Sequence, residues 1–347
     1  MNLSNQEIFL ASLLFIISSF FILIPPCDYL GFSQERKTGG KLMFLTDTKN
    51  ALQRAAAYQN NSQVVSEQSP ITELSTSEPR DVCTTKALRG TNYTIIYNAM
   101  PKTGSRTLST ISLQLFKKRF KSNTRFHTIA ITPKISELRR NSTKLLEYYR
   151  QTSQKTAFIR GHNAFVHPAD RSYICINTIR EPIPWMTSQY YFRTNGDSRG
   201  REHSKNKTTS DLTFDECFSR GLLSCKPQIG NYLAYFCGDD PICNTPGALK
   251  RSKANVDKFL FVGLNEEFKD TIRILELLIP DIFKGLTKDY EKKFSELKRS
   301  FTTISKKKLS EKTEETLRRD PNVRVMYEFY EFVKDRFHRL KKCLLQD

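Results

Sequence analysis

Three times in this chain a short run of β-branched and aromatic residues gives way to a polar loop and then to a stretch with helical periodicity. The first is YTIIYN (93–98), followed by AMPKTGSRT and LSTISLQLF; the second is SYICINTI (172–179), followed by REP and a helix opening near Pro182; the third is KFLFVG (258–263). In the first helical stretch Leu108, Ile111 and Phe116 share a face, and after the third run Phe268, Ile272, Leu275 and Ile279 do so up to a stop at Pro280. Strands alternating with helices predict an α/β domain. Between 323 and 344, Met326, Phe329, Tyr330, Val333, Phe337 and Leu340 recur at helical intervals, which predicts an amphipathic helix packed on that domain.

The rest of the chain is organised differently. Residues 8–24 are apolar and uncharged, close to the ~17 to 25 residues that span a bilayer. A cleaved signal peptide normally begins with a basic region, and no Lys or Arg precedes Arg36, so the expectation is a signal-anchor at 8–24 behind a short cytoplasmic tail at 1–7. Residues 46–80 are polar, rich in Ser, Thr, Gln and Glu, and nearly without apolar periodicity. They form the body of an expected stem at 25–85, which leaves 86–347 as the folded domain.

Orientation divides the signals. Arg36, Lys37 and Lys41 follow the span and by the positive-inside rule belong in the cytosol. Sequons at Asn60, Asn92, Asn141 and Asn206 and two close cysteine pairs, Cys217 with Cys225 and Cys237 with Cys243, argue for a lumenal domain. The pairs miss the short C-x(2 to 4)-C spacing of a zinc knuckle and no suitable His pair is near, so they are expected as local disulfides, with no metal. Cys175, inside YICINTI, reads as a buried thiol, while Cys27, Cys83 and Cys343 have no assignment. The 55 Lys and Arg against 36 Asp and Glu give +19, which favours a polyanionic partner: nucleic acid, anionic membrane or sulfated polysaccharide. No zinc finger, basic zipper or RNP-like aromatic motif supports nucleic acid.

The loop PKTGSRT sits where a strand ends and a helix opens, a place where free backbone N–H groups and the helix dipole favour an anion. Gly104 permits close backbone approach, Thr103, Ser105 and Thr107 offer hydroxyls, and Lys102 adds a charge. A Walker A loop is excluded because its lysine follows the glycines, and Lys102 precedes Gly104. Taken alone, the loop is equally readable as a basic surface turn. In the second unit Arg180 ends the strand and Ser188 lies about two helical turns on; Arg180 reads either as a phosphate ligand or as a partner for Glu181 or a distant acid.

Together, PKTGSRT after one strand and IREPIPWMTSQYYF after another resemble the 5′-phosphosulfate and 3′-phosphate loops of PAPS-dependent sulfotransferases. RGH (160–162), YYFRTNGD (190–197), TFDEC (213–217), YFCG (235–238), FLFVGLNEEFKDTIRILELLIPDIFKG and YEFYEFVKDRFHRLKK extend this to the uronyl 2-O-sulfotransferase family, in consistent order from about 93 to 342. GSRT and the C-terminal segment lean slightly toward its chondroitin/dermatan-type uronyl 2-sulfotransferase over the heparan sulfate enzyme. The resemblance implies a P-loop-like sulfotransferase domain with a central, mostly parallel sheet flanked by helices. It implies transfer of sulfonate from PAPS to the 2-hydroxyl of iduronic or glucuronic acid in a glycosaminoglycan, a Golgi membrane location as a single-pass type II protein, and a homotrimer, which no residue pattern here yields.

Residue by residue, the resemblance puts Lys102 at the bridging oxygen between sulfonate and phosphate. It puts Thr103, Gly104, Ser105, Arg106 and Thr107 around the 5′-phosphate, and Arg180 and Ser188 at the 3′-phosphate. Of the five histidines, His127, His162, His167, His203 and His338, the RGH position makes His162 the catalytic base, with His167 in reserve. The chain departs from its relatives at Ala99, where family members often carry Arg, and at Arg160, where the heparan enzyme has His. Arg199, Arg201, Lys205 and Lys207, and then Lys298, Arg299 and Lys306 to Lys308, are candidates for gripping the acceptor's sulfates and carboxylates. Two other readings fit the sequence: a catalytically silent protein that binds glycosaminoglycan, and a sulfotransferase for another carbohydrate.

Overall fold

The computed structural model describes residues 82–120, 127–130, 141–152, 157–170, 172–197 and 212–345, all within one compact unit, Thr76–Asp347. The expected tail, membrane span and nearly all of the stem lie outside the described residues, as do Asn60, Arg199, Arg201, Lys205, Asn206 and Lys207. Among the described residues, no helix is long and apolar enough to cross a membrane.

In chain order the elements are β1 (Thr94–Tyr97), α1 (Ser105–Arg119), β2 (His127–Ala130), α2 (Ser142–Thr152), β3 (Ala157–Arg160), β4 (Tyr173–Ile179), α3 (Pro182–Asn195), α4 (Phe214–Ser219), α5 (Ile229–Cys237), α6 (Ala248–Val256), β5 (Phe259–Leu264), α7 (Phe268–Leu278), α8 (Pro280–Phe283), α9 (Leu286–Phe301), α10 (Glu311–Arg319) and α11 (Pro321–Leu345). The strands form one sheet in the order β2-β3-β1-β4-β5, and each of its pairings is parallel. β1 and β4 are buried at every residue, as a parallel sheet covered on both faces requires. The three strands expected from sequence are β1, β4 and β5; β2 and β3 complete the sheet beside β1.

Aromatic side chains fill the space between sheet and helices. Phe116 of α1 lies 5.4 Å from Phe158 of β3 and 5.5 Å from Phe283 of α8, centroid to centroid. Phe259 and Phe261, two apart on β5 and so on one face, meet Phe236 of α5 at 5.7 Å and Phe337 of α11 at 6.1 Å. The aromatic stripe of α11 is therefore core, as its periodicity predicts. α7 ends at Leu278, and Pro280 opens α8, where its missing N–H costs nothing.

Cys217–Cys225 and Cys237–Cys243 are disulfides, and a third bond joins Cys83 to Cys343. The third clamps a 3-10 turn at Val82–Thr84, inside the stretch expected as stem, to the end of α11. Cys175 is a buried free thiol, pushed up to about 12 by burial.

From β1 the chain crosses to one side of the sheet and from β4 to the other. Right-handed crossovers then place the helices after these neighbouring strands on opposite faces. The carboxyl ends of β1 and β4 are therefore the switch point, the place where α/β sheets bind ligands.

Candidate active site

The loop after β1 is fixed from beneath. In β4 the polar pair Asn177 and Thr178 interrupts an apolar strand, and both side chains serve this loop. Asn177 Nδ2 donates to the Asn98 carbonyl at 3.1 Å. Thr178 Oγ1 lies 2.9 Å from both the Tyr97 hydroxyl and Thr103 Oγ1. Thr103 Oγ1 donates to the Met100 carbonyl at 2.7 Å and is fully buried, so its hydroxyl braces the loop from inside. From α3, Trp185 Nε1 donates to the Pro101 carbonyl at 2.9 Å.

This bracing holds two residues in left-handed backbone conformations: Lys102 at φ 65° and Gly104 at φ 80°. The conformation is uncommon for lysine and marks a place where the loop is shaped against local preference. At Gly104 a Cβ would lie 2.5 Å from Phe268 Cε2, so glycine is required by space as well as by backbone. Gly104 is also the residue before α1, where no side chain caps the helix and no acid occupies the first turn. Ser105 and Thr107 lie in that first turn.

Four cations gather here. Lys102 Nζ sits 4.2 Å from the Phe192 ring centroid, and the Arg106 guanidinium lies 5.0 Å from the same ring and 5.4 Å from Phe301. Arg106 is ion-paired with Asp197, a completely buried carboxylate just past α3. Arg180 reaches across from β4, its Nη1 donating to the Lys102 carbonyl at 3.2 Å, while its Nε is buried with no hydrogen-bond partner. Lys306 arrives on the segment after α9, which pairs with the end of α3 through the Asp197–Thr303 bridge and the Ile304 N–H to Gly196 carbonyl bond of 3.4 Å.

The crowding registers in the ionisation of these groups. Burial, then Arg106, and further Arg180 and Lys306, lower the Lys102 ammonium to about 8, with Asp197 opposing. Lys306 belongs to a surface segment, yet desolvation of its ammonium and the nearby Arg180 lower it to about 8 as well. Arg180 is lowered by burial, against the pull of Glu266 and then Glu181. Concentrated positive charge of this kind is stable beside an anion and unfavourable without one.

His162 stands next to this cluster because β3 is the other neighbour of β1. Its Nδ1 is 2.6 Å from the Ala99 carbonyl, and the Gly161 N–H bonds the Tyr97 carbonyl at 3.1 Å. A carbonyl only accepts, so Nδ1 carries the proton and Nε2 is the basic nitrogen.

No family model matches the chain. Among curated proteins, heparan sulfate 2-O-sulfotransferase hst-2 of Caenorhabditis elegans is 32% identical over 259 residues, covering 72% of this chain and 79% of its own. The chain belongs to the heparan sulfate and uronyl 2-O-sulfotransferase family. Human uronyl 2-sulfotransferase is 32% identical over 262 residues, with the chain spanning 63% of its length, and Xenopus laevis heparan sulfate 2-O-sulfotransferase 1 is 31% identical over 70% of each chain. Equal identity to both kinds of relative leaves the slight lean toward the chondroitin/dermatan type undecided. Among solved structures, mouse sulfotransferase SULT7A1 complexed with PAP aligns at TM-score 0.33 and 10% identity, over 71% of this chain and 92% of that one, too slight a likeness to add to the assignment.

In this member of the 2-O-sulfotransferase family the remaining candidates are dispersed. Ser188 is buried in α3, its hydroxyl 3.5 Å from that of Thr303. Lys298 and Arg299 are exposed in the last turn of α9, Lys298 over the Phe294 ring at 5.8 Å. His167 accepts the Ala169 N–H at 3.1 Å and is lowered by burial and by Lys258, which precedes β5. That is the amino-terminal end of the parallel strands, whereas Lys102 follows the carboxyl end of β1. His338 is 2.5 Å from Glu267, and His203 lies outside the described residues. Asn92 and Asn141 are exposed, and the Asn141 side chain caps α2 by accepting the Lys144 N–H at 2.9 Å. Sequence reasoning did not single out Phe192, Asp197 and Glu266 as site residues, and it left Lys306 undistinguished within a run of lysines.

Proposed function

We propose that the protein transfers sulfonate from PAPS to the 2-hydroxyl of a uronic acid in a glycosaminoglycan. The observation that carries this is the convergence of Lys102, Arg106, Arg180 and Lys306 at the open N-terminus of α1, beside a histidine whose basic nitrogen is Nε2. The buried, unpartnered Nε of Arg180 and the lowering of both lysines by burial and by Arg180 fit a donor carrying phosphates at two positions. Bound there, PAPS supplies an activated sulfonate and leaves as PAP.

The chain's own residues divide the work. The backbone N–H groups from Gly104 to Thr107, with the Ser105 and Thr107 hydroxyls and Arg106, hold the 5′-phosphate. Thr103 contributes through its backbone, since its hydroxyl is engaged beneath the loop. Arg180 and Ser188 take the 3′-phosphate. His162 takes the proton of the attacking sugar hydroxyl at Nε2, and Lys102 offers its ammonium to the oxygen on which negative charge builds. Lys298 and Arg299, with Arg199 and Arg201, are assigned to the acceptor's sulfates and carboxylates.

The protein is further proposed as a Golgi membrane protein, anchored at 8–24 with the sulfotransferase domain in the lumen and assembled as a homotrimer. Three disulfides and the exposed sequons at Asn92 and Asn141 support the oxidising lumen; the trimer rests on family resemblance alone. The deciding experiment is transfer of radiolabelled sulfate from PAPS by the purified full-length chain onto desulfated heparan, dermatan and chondroitin, followed by disaccharide analysis. Label on a uronic acid 2-hydroxyl is expected and names the polymer. Absence of label on every chain, from protein that binds PAP, moves the acceptor elsewhere; absence of PAP binding as well leaves a polyanion-binding protein.

A further inference from the structure

The peptide unit joining Arg180 to Glu181 is gripped from both ends. Its carbonyl accepts from the Tyr232 hydroxyl of α5 at 2.5 Å, and its N–H donates to Glu266 Oε1, between β5 and α7, at 3.1 Å. The neighbouring peptide is tied the same way, with the Asn265 N–H bonded to the Ile179 carbonyl at 2.8 Å. Fixing this plane fixes the backbone of Arg180 just where the strand ends, and with it the direction in which the side chain leaves.

Glu266 is itself held. Its second oxygen accepts from the Tyr330 hydroxyl of α11 at 3.2 Å, and Glu181 Oε1 accepts from Tyr327 at 2.8 Å with Arg318 3.8 Å away. Both carboxylates act on the Arg180 charge, yet among the described residues none forms an ion pair with that guanidinium. The acids therefore offset part of the crowding of cations without occupying the edge of Arg180 that an anion needs.

We propose that Glu266 is a positioning residue for recognition of the 3′-phosphate: by accepting the Glu181 N–H, and being held by Tyr330, it sets the Arg180 turn and aims the guanidinium. The proposal rests on Arg180 as the 3′-phosphate ligand. A glutamine in its place retains an oxygen for the Glu181 N–H and a second polar atom for Tyr330, whereas alanine retains neither.

The test compares affinities of the full-length chain for PAP and for AMP, which lacks the 3′-phosphate, by competition binding. In Glu266→Ala the preference for PAP over AMP is expected to fall by about tenfold or more, with AMP affinity unchanged, and Glu266→Gln is expected to restore it. With PAPS as donor, Glu266→Ala is expected to raise KM and leave kcat unchanged. Tyr330→Phe, which keeps the ring in the core, is expected to give a smaller loss of preference in the same direction and serves if the alanine variant does not fold. An unchanged preference in Glu266→Ala or Tyr330→Phe overturns the proposal, as does a glutamine variant as poor as alanine, which would assign the effect to charge. Wild-type protein with no preference for PAP would instead remove the reading of Arg180, and that result needs no variant.

Discussion

An ammonium held near 8 changes charge within the range where an enzyme works. Lys102 and Lys306 are both lowered from 10.5 to about 8, so each is charged below that pH and loses its charge above it. Affinity for PAP is therefore expected to fall as pH rises through about 8, and the paired change Lys102→Arg with Lys306→Arg to flatten the profile in equilibrium binding. The same depression acts on folding with the opposite sign. Between about 8 and 10.5 the unfolded chain binds more protons than the folded one, so the ligand-free domain gains stability as pH rises across that window. Lys306→Met should accordingly raise the melting temperature of the ligand-free protein while shrinking the shift that PAP produces. His162→Ala should abolish turnover with PAP binding retained; normal turnover would remove it as the base. Lys102 and Arg180 stood out as candidates because each lies beside a strand end in a contiguous motif, whereas His162 was singled out among five histidines by the family resemblance at RGH alone. Asp197 and Glu266 were not, because their partners Arg106 and Glu181 are 91 and 85 residues away along the chain and only the fold brings them together.

The loop between β1 and α1 is an element under constraint, and single changes test it. Gly104→Ala demands both an unfavourable φ and displacement of Phe268, so a loss of about 2 kcal/mol is expected in chemical denaturation, together with weaker PAP binding. Thr178→Val strands the Tyr97 hydroxyl in the core and leaves Thr103 only its bond to Met100, and is expected to cost about 1 to 3 kcal/mol, with a rise in KM for PAPS as the loop loses part of its brace. Elements whose periodicity is local were readable in advance: β1, β4 and β5, the helices after them, and α11. β2 (HTIA) and β3 (AFIR) are as short as β1 but lack its unbroken β-branched and aromatic run; their pairing to each other and to β1 supplies what local sequence does not. The lysines after α9 read as undifferentiated candidates for the acceptor, because the backbone pairing to residues 196 and 197 that carries Lys306 to Arg180 leaves no mark in composition.

At the scale of the whole molecule, the net charge of +19 and the cations gathered at the switch point support the same kind of partner, since a strongly basic surface draws a polyanion toward a site that itself concentrates cations. Binding of desulfated and sulfated polysaccharide should weaken steeply with added salt, which titration at several ionic strengths would measure. The Cys83–Cys343 bond closes a loop with a sequence separation of 260, the longest of the three, so its removal by Cys83→Ser with Cys343→Ser should lower stability by up to about 5 kcal/mol in the chain-entropy account. That bond also decides how the domain bears a load. A pull on the chain ahead of Cys83 passes through the sulfur bridge into α11, the longest helix among the described residues, instead of peeling β1 from the middle of the sheet. With the domain anchored ahead of Cys83, as proposed, the loop after β1 is mechanically isolated from that anchor until the bridge is reduced.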